Sequence, residues 1–242
     1  MNKNLIINAD DFGYSQVINK AIIYSLERGI INSASLMTTM PGFQEAVEMV
    51  KMRGYTRCIG VHVNLTEGKP LTKFKHRAFL NEDGTWNKDV IIGSRFGFSK
   101  EIRKDFSKEI IAQVRAAEKM GIQPAHINSH HHVHTLPAFF YLFLNVSRAH
   151  GYKLRIAQTH FSGSFLKTAY RKYINSLIRR HGLQFSEYFE TVQSYQQRKK
   201  NNRGGVTEIM VHPTFDEQGV LVDELNKNNG GAEYQEFYNR FK

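Results

Sequence analysis

Four times in this chain a short apolar run meets a cluster of acids or histidines. Leu5–Asn8 leads into Asp10 and Asp11, Cys58–Leu65 carries His62, His126–Ser129 opens onto four further histidines, and Thr207–Val211 precedes His212. Helical patterns lie between these runs. Short apolar strands that alternate with helices argue for a mostly parallel sheet covered by helices. The number of such strands favours an α/β fold closed, or nearly closed, into a distorted TIM-like (β/α) barrel rather than an open sheet.

The helices are read from period and punctuation. Ser15 is an N-cap for Val17, Ala21, Ile22 and Leu26, and Gly29 closes that helix. Pro41 precedes Phe43, Ala46, Val47 and Val50 at helical spacing. Ser99 opens the clearest helix, with Ile102, Phe106, Ile110, Val114 and Ala117 on one face and Gly121 at its end. A helix is expected from near Pro137, another over Phe165–Arg180, and a terminal one over Glu233–Phe241. Further strands are expected at Ser33–Thr39 and Leu154–Ile156. Residues 66–98 read as irregular and hold the only tryptophan, Trp86; a loop this long is usually functional. With no linker or repeat in evidence, the whole of 1–242 reads as a single domain.

Composition narrows the function classes. There is one cysteine, Cys58, so neither an intrachain disulfide nor a cysteine-based zinc cluster is available. The N-terminus does not read as a secretory signal, and no apolar run approaches the length of a membrane span, so a cytoplasmic protein without a membrane partner is expected. The formal charge is +11, which raises polyanions as partners. The excess is local: residues 151–203 hold 11 Lys and Arg against Glu187 and Glu190. The bland reading is a solvated basic face, and the chain has no recognisable nucleic-acid motif, so nucleic acid is disfavoured as a partner. A homodimer is neither required nor excluded.

The four polar clusters would converge, because the C-terminal strand ends of a parallel barrel share one face. Adjacent Asp10 and Asp11 project differently, so one can bind a metal while the other stays free as a base. A lone His62 in an apolar strand is more often a hydrogen-bonded core residue, and His212 alone reads as an exposed strand end. Five histidines within His126–His134 are not needed for packing and favour a divalent metal, although not all five can be ligands. A mixed Asp/His site without cysteine leaves coordination positions open, which is the catalytic pattern.

In NADDFG at 8–13, GVHVNLTEGKPL at 60–71, HINSHHHVH at 126–134, LR at 154–155 and VHP at 211–213, the sequence resembles the YdjC-like carbohydrate (chito-oligosaccharide) deacetylases, distant relatives of the NodB-type polysaccharide deacetylases. The resemblance implies a distorted barrel and one divalent metal ion, Mg2+ or Zn2+, held by Asp11, His62 and His130. It implies Asp10 as the base, His212 as the group that stabilises or protonates the leaving amine, and Arg155 as a residue that orients the base or the substrate. The substrate implied is an N-acetylated sugar or oligosaccharide, from which acetate is released. The chain departs from the pattern at Asn128, where the family usually has Asp. Trp86 and the aromatics of its loop are candidate stacking platforms for sugar rings. A metal-dependent phosphoesterase or amidohydrolase, a nucleic-acid-binding protein suggested by charge alone, and a metal-binding but inactive homologue are the rival readings.

Overall fold

The structure is a computed structural model, and it describes residues 4–160, 163–198, 204–226 and 236, 237 and 239. The Glu233–Phe241 helix expected from sequence otherwise lies outside the described residues.

Six strands form one sheet: β1 (Leu5–Phe12), β2 (Ser33–Leu36), β3 (Ile59–Val63), β4 (Ile127–Ser129), β5 (Tyr188–Thr191) and β6 (Thr207–Val211). Their order is β4-β3-β2-β1-β6-β5, and every neighbouring pair is parallel. The sheet curls. Beyond β4 it continues through two single-residue parallel bridges, Ile127–Leu154 and Leu154–Gln184. Gln184 lies just before β5, so this path leads back toward the opposite edge. The result is an α/β fold of distorted TIM-barrel type. The strand expected at Leu154–Ile156 is therefore only a bridge at Leu154, because both of its neighbours diverge after one register pair.

Helices α1 (Gln16–Glu27), α2 (Phe43–Arg53), α3 (Lys88–Gly93), α4 (Lys100–Lys119), α5 (Phe140–His150), α6 (Phe165–Arg180) and α7 (Val192–Arg198) accompany the strands. Their caps follow the sequence signals. The Ser15, Ser99 and Ser164 hydroxyls accept from the backbone N–H three residues on, and Gly54 closes α2 in the left-handed conformation. α4 buries Phe106, Ile110, Val114 and Ala117, as its period requires. α6 shows the exposed basic face, with Lys167, Lys172, Arg179 and Arg180 open to solvent. Among the described residues no helix is long and apolar enough to cross a membrane. An antiparallel hairpin, β7 (Pro213–Phe215) with β8 (Leu221–Asp223), follows β6 directly.

Several local expectations change. β2 stops at Leu36 rather than Thr39, and α5 begins at Phe140 rather than near Pro137. Segment 66–98 is partly ordered into a 3-10 turn at Arg77–Phe79 and into α3. Trp86 is a core residue, only 2% exposed. It stacks on Phe106 at 6.0 Å and meets the edge of Phe74 at 4.9 Å, so it is no sugar platform. Phe79, Phe98 and Phe139 complete this aromatic cluster around Phe106. Buried Glu109 of α4 accepts from the backbone N–H groups of Leu71 and Thr72 and from the Thr72 hydroxyl. The long loop is thus packed at its middle and hydrogen-bonded near its start.

Candidate active site

The barrel interior is polar on alternate strand positions. Asn8 and Asp10 of β1, Ser33 and Ser35 of β2, His62 of β3, Asn128 of β4 and Glu208 of β6 are all buried. Their register pairs them across the sheet: Asn8 with Ser33, and His62 with Asn128. Gly60 belongs to the same layer. A Cβ there would lie 2.5 Å from the His126 ring, so only glycine leaves room for that imidazole.

Asp10 and Asp11 need a special backbone to share one site, because neighbouring strand residues point to opposite faces. β1 supplies it. Its pairing with β2 slips between Ala9 and Phe12, and Asp11 has φ 65°, a left-handed value rare for a non-glycine residue. Gly13 has φ 89°, and a Cβ there would meet the Met37 carbonyl at 2.8 Å. The Asn19 side chain accepts from the Gly13 N–H and donates to the Gly42 carbonyl, which pins the turn.

Asp11, His62 and His130 come together at the strand ends. The Asp11 Oδ1 atom is 3.2 Å from His62 Nε2 and 2.9 Å from His130 Nδ1. One ligand atom from each lies within 4.8 Å of the other two, a group able to hold a metal ion. These close approaches lack hydrogen-bond alignment: Asp11 Oδ1 is a buried acceptor without a hydrogen-bond donor among the described residues. Ligand atoms that close around a buried oxygen without an aligned hydrogen bond are what a cation would satisfy, and a carboxylate with two imidazoles suits a divalent transition-type ion. Burial alone would raise the Asp11 carboxyl, but the imidazoles of His130 and His62 hold it well below the usual carboxylate range. Burial opposes charge on His130, yet Asp11 and Glu67 together push it up to about 9.

Asp10 sits behind this triad. Burial would raise it, but the Arg155 guanidinium, with help from His62 and His212, holds it far below the ordinary range. Arg155 donates to both Asp10 oxygens and, through Nε, to Glu208 Oε1 at 2.8 Å, with Nη2 also 2.7 Å from that oxygen as an ion pair. It is wholly buried, with the Phe189 ring 4.6 Å from its guanidinium carbon. Burial pushes Glu208 up against the pull of Arg155. The Asn8 and Asn128 amides also donate to Asp10 Oδ1, at 2.9 and 3.2 Å.

His212 stands at the end of β6, within electrostatic reach of Asp10. Its backbone N–H donates to the Asp223 carboxylate at 2.8 Å, and its carbonyl accepts from Glu224 N–H, so β8 and the turn after it fix its position. The six residues singled out in sequence thus fall into one neighbourhood, with Asp10 linking Arg155 to His62.

The histidine run divides its labour. Only His130 joins the triad. His126 shares a hydrogen bond with Ser35 at 3.1 Å and stacks on Phe185, and His134 bonds with Ser129 at 2.7 Å. His132 packs against the edge of Phe189. His131 is engaged at both nitrogens, with the Thr66 hydroxyl at 2.9 Å and Lys88 Nζ at 3.0 Å. His131 and His132 both have left-handed φ, which turns the run away from a regular helix. A second possible cation group, Glu67 with His130 and His131, is less apt, because His131 has no nitrogen to spare and Lys88 brings positive charge.

Sequence reasoning missed Asn8, Ser35, Glu67 and Glu208. Glu67 Oε1 lies 3.3 Å from His130 Nε2. The signal for Asn8, Ser35 and Glu208 was the period-two polar pattern inside otherwise apolar strands. Tyr14 also reaches the site, its ring 6.4 Å from His130.

The chain is similar to several known proteins. A carbohydrate deacetylase from Brevibacillus brevis is 31% identical over 225 residues, covering 90% of this chain and 84% of the relative. A carbohydrate deacetylase from Vibrio cholerae serotype O1 is 30% identical over 243 residues, covering 96% and 84%. A crystal structure from Enterococcus faecalis V583, described as a candidate cellobiose-phosphate cleavage protein, superposes with a TM-score of 0.72 at 25% identity, covering 100% of this chain and 92% of that one. The family profile described as YdjC-like protein matches residues 4–239, and the chain belongs to that family.

Proposed function

We propose that this chain is a metal-dependent hydrolase that removes N-acetyl groups from amino sugars or short chito-oligosaccharides and releases acetate. The observation that carries the reading is the pairing, at one set of strand ends, of an Asp–His–His cluster with a separate, buried carboxylate at Asp10. The deacetylase names of the relatives supply the substrate class.

Asp11, His62 and His130 would hold one divalent cation, Zn2+ or Mg2+. Bound there, such an ion supplies a Lewis acid for the acetyl oxygen and acidifies its water. Asp10 accepts the proton of the attacking water. Arg155 holds that carboxylate ionised, the form that accepts a proton. Arg155 fixes the plane of that carboxylate through two bonds. His212, carried on the β6 end, returns a proton to the departing amine. Residues 1–242 act as one domain, in the cytoplasm.

Metal analysis of the purified protein, coupled to an acetate-release assay on N-acetylglucosamine oligomers, tests this directly. Bound divalent metal and metal-dependent acetate are the expected result. Phosphate release from phosphoesters instead of acetate would assign the site to a phosphoesterase, and absence of both metal and acetate would remove the reading.

A further inference from the structure

Asn128 joins the two halves of the site. Its Oδ1 is 2.7 Å from His62 Nδ1, and its Nδ2 is 3.2 Å from Asp10 Oδ1 and 2.8 Å from Ser35 Oγ. Every atom in this chain of contacts has a forced role. Asp10 takes two hydrogen bonds from the Arg155 guanidinium, so it is a carboxylate and can only accept. The Asn128 atom that faces Asp10 must therefore be the amide NH2, and the atom that faces His62 must be the carbonyl oxygen. A carbonyl oxygen only accepts, so His62 must carry its proton on Nδ1. The opposite tautomer would set two lone pairs 2.7 Å apart inside a buried site. With Nδ1 protonated, the His62 lone pair is on Nε2, the nitrogen 3.2 Å from Asp11 Oδ1.

We propose that Asn128 is a positioning residue that reads the fixed charge of Asp10 and sets His62 in the Nδ1–H tautomer, with Nε2 ready as a ligand before any cation arrives. The register supports it: His62 and Asn128 are paired residues on adjacent parallel strands, so the backbone brings their side chains to one face. The amide does what neither an aliphatic side chain nor an ionised carboxylate can do there. It accepts from His62 and donates to Asp10 at the same time. An aspartate would keep the acceptor for His62 but would face Asp10 with a second carboxylate, in an interior where Glu208 already shares Arg155. The inference rests on the proposed metal site for its purpose, and its main readout needs neither substrate nor turnover.

Long-range 1H–15N spectra of the metal-free protein, with histidine labelled and at mildly alkaline pH, report each tautomer. His62 is expected with the proton on Nδ1, and a proton on Nε2 in the unaltered protein overturns the proposal even if no variant folds. Asn128→Leu is expected to release the Nδ1 preference and to weaken Zn2+ binding, read by calorimetry, about 10–100-fold. Asn128→Asp is expected to keep the Nδ1–H form and most of the Zn2+ affinity, because its carboxyl oxygen still accepts from His62. Asn128→Leu with unchanged tautomer and affinity, or Asn128→Asp losing the tautomer as Leu does, would overturn the assignment. A retained tautomer in a protein that releases no acetate would count against the proposed activity alone.

Discussion

Arg155 holds Asp10 by two hydrogen bonds, Nη1 to Oδ2 at 2.6 Å and Nη2 to Oδ1 at 2.8 Å, where neither side chain meets bulk water. A buried guanidinium between two acids is costly to remove, because Asp10 and Glu208 would then face each other uncompensated. Arg155→Met should lower unfolding stability by about 3–5 kcal/mol, the range for breaking a buried pair by removal of one partner. The urea midpoint checks this, and a shift of only a few tenths of a kcal/mol would show that the pair relaxes to solvent.

Asp10→Asn should leave metal stoichiometry unchanged while turnover falls about 10²–10⁴-fold, the usual loss when one positioned acid or base is removed. Acetate release and metal content measured on the same preparation decide it. A variant working at the wild-type rate would take Asp10 out of the proton transfer.

His130→Ala should lose both metal and activity, because it removes one of the three groups, Asp11, His62 and His130, that would hold the ion. Chelation of the unaltered protein should stop acetate release in the same way, and added Zn2+ or Mg2+ should restore it to the unaltered protein only. Elemental analysis after gel filtration gives the first outcome and the acetate assay the second.

Burial, helped by the charge of Arg155, pushes the His126 imidazole down to about 3. Below an ordinary histidine value near 6.5, the unfolded chain binds a proton that the folded chain refuses. The stability this residue contributes is therefore present above pH 6.5 or so and is lost as pH falls toward about 3, with a slope of up to ~1.4 kcal/mol per pH unit. Urea midpoints from neutrality down to about pH 5 should fall more steeply in the unaltered protein than in His126→Asn. Parallel curves would mean that His126 gains access to water.

Phe106→Ala should cost about 3–5 kcal/mol, since its fully buried ring contacts Trp86, Phe74, Phe79, Phe98 and Phe139. Trp86 is the only tryptophan, so its fluorescence reports this cluster alone. An emission shift to the red in the native variant would show that the middle of segment 66–98 has come loose from α4.

Much of the fold was legible where the signal is local. α1, α2 and α4 have their apolar period and their capping residues in one stretch of chain, and the strand-end clusters do converge as a parallel barrel requires. Other features depend on distant partners. β5 is held by β6 across a basic, aromatic-rich segment whose own pattern reads as helix face or loop. Glu208 has meaning only beside Arg155, 53 residues away in sequence, and Asn128 only beside Asp10, 118 residues away. The bulge that turns Asp11 toward His62 is a backbone choice, and an adjacent Asp pair is equally at home in an ordinary turn. Trp86 misleads for the opposite reason: a large ring in a long polar loop looks exposed until Phe106 of α4 and Phe74 are placed against it.

The one-residue bridge at Leu154 couples two properties that are separate in most barrels. Its N–H bonds to the Leu183 carbonyl at 2.7 Å and its carbonyl accepts from Phe185 N–H, while on the other side Ile127 N–H donates to the Lys153 carbonyl and the Ile127 carbonyl accepts from Arg155 N–H. The next residue is Arg155. A fluctuation that unzips this seam is expected to withdraw the guanidinium from Asp10 as well, which links opening of the barrel there to loss of the Arg155–Asp10 pair. The amides of Leu154, Arg155 and Phe185 accordingly serve as a hydrogen-exchange gauge of how often the Asp10–Arg155–Glu208 charge cluster comes apart.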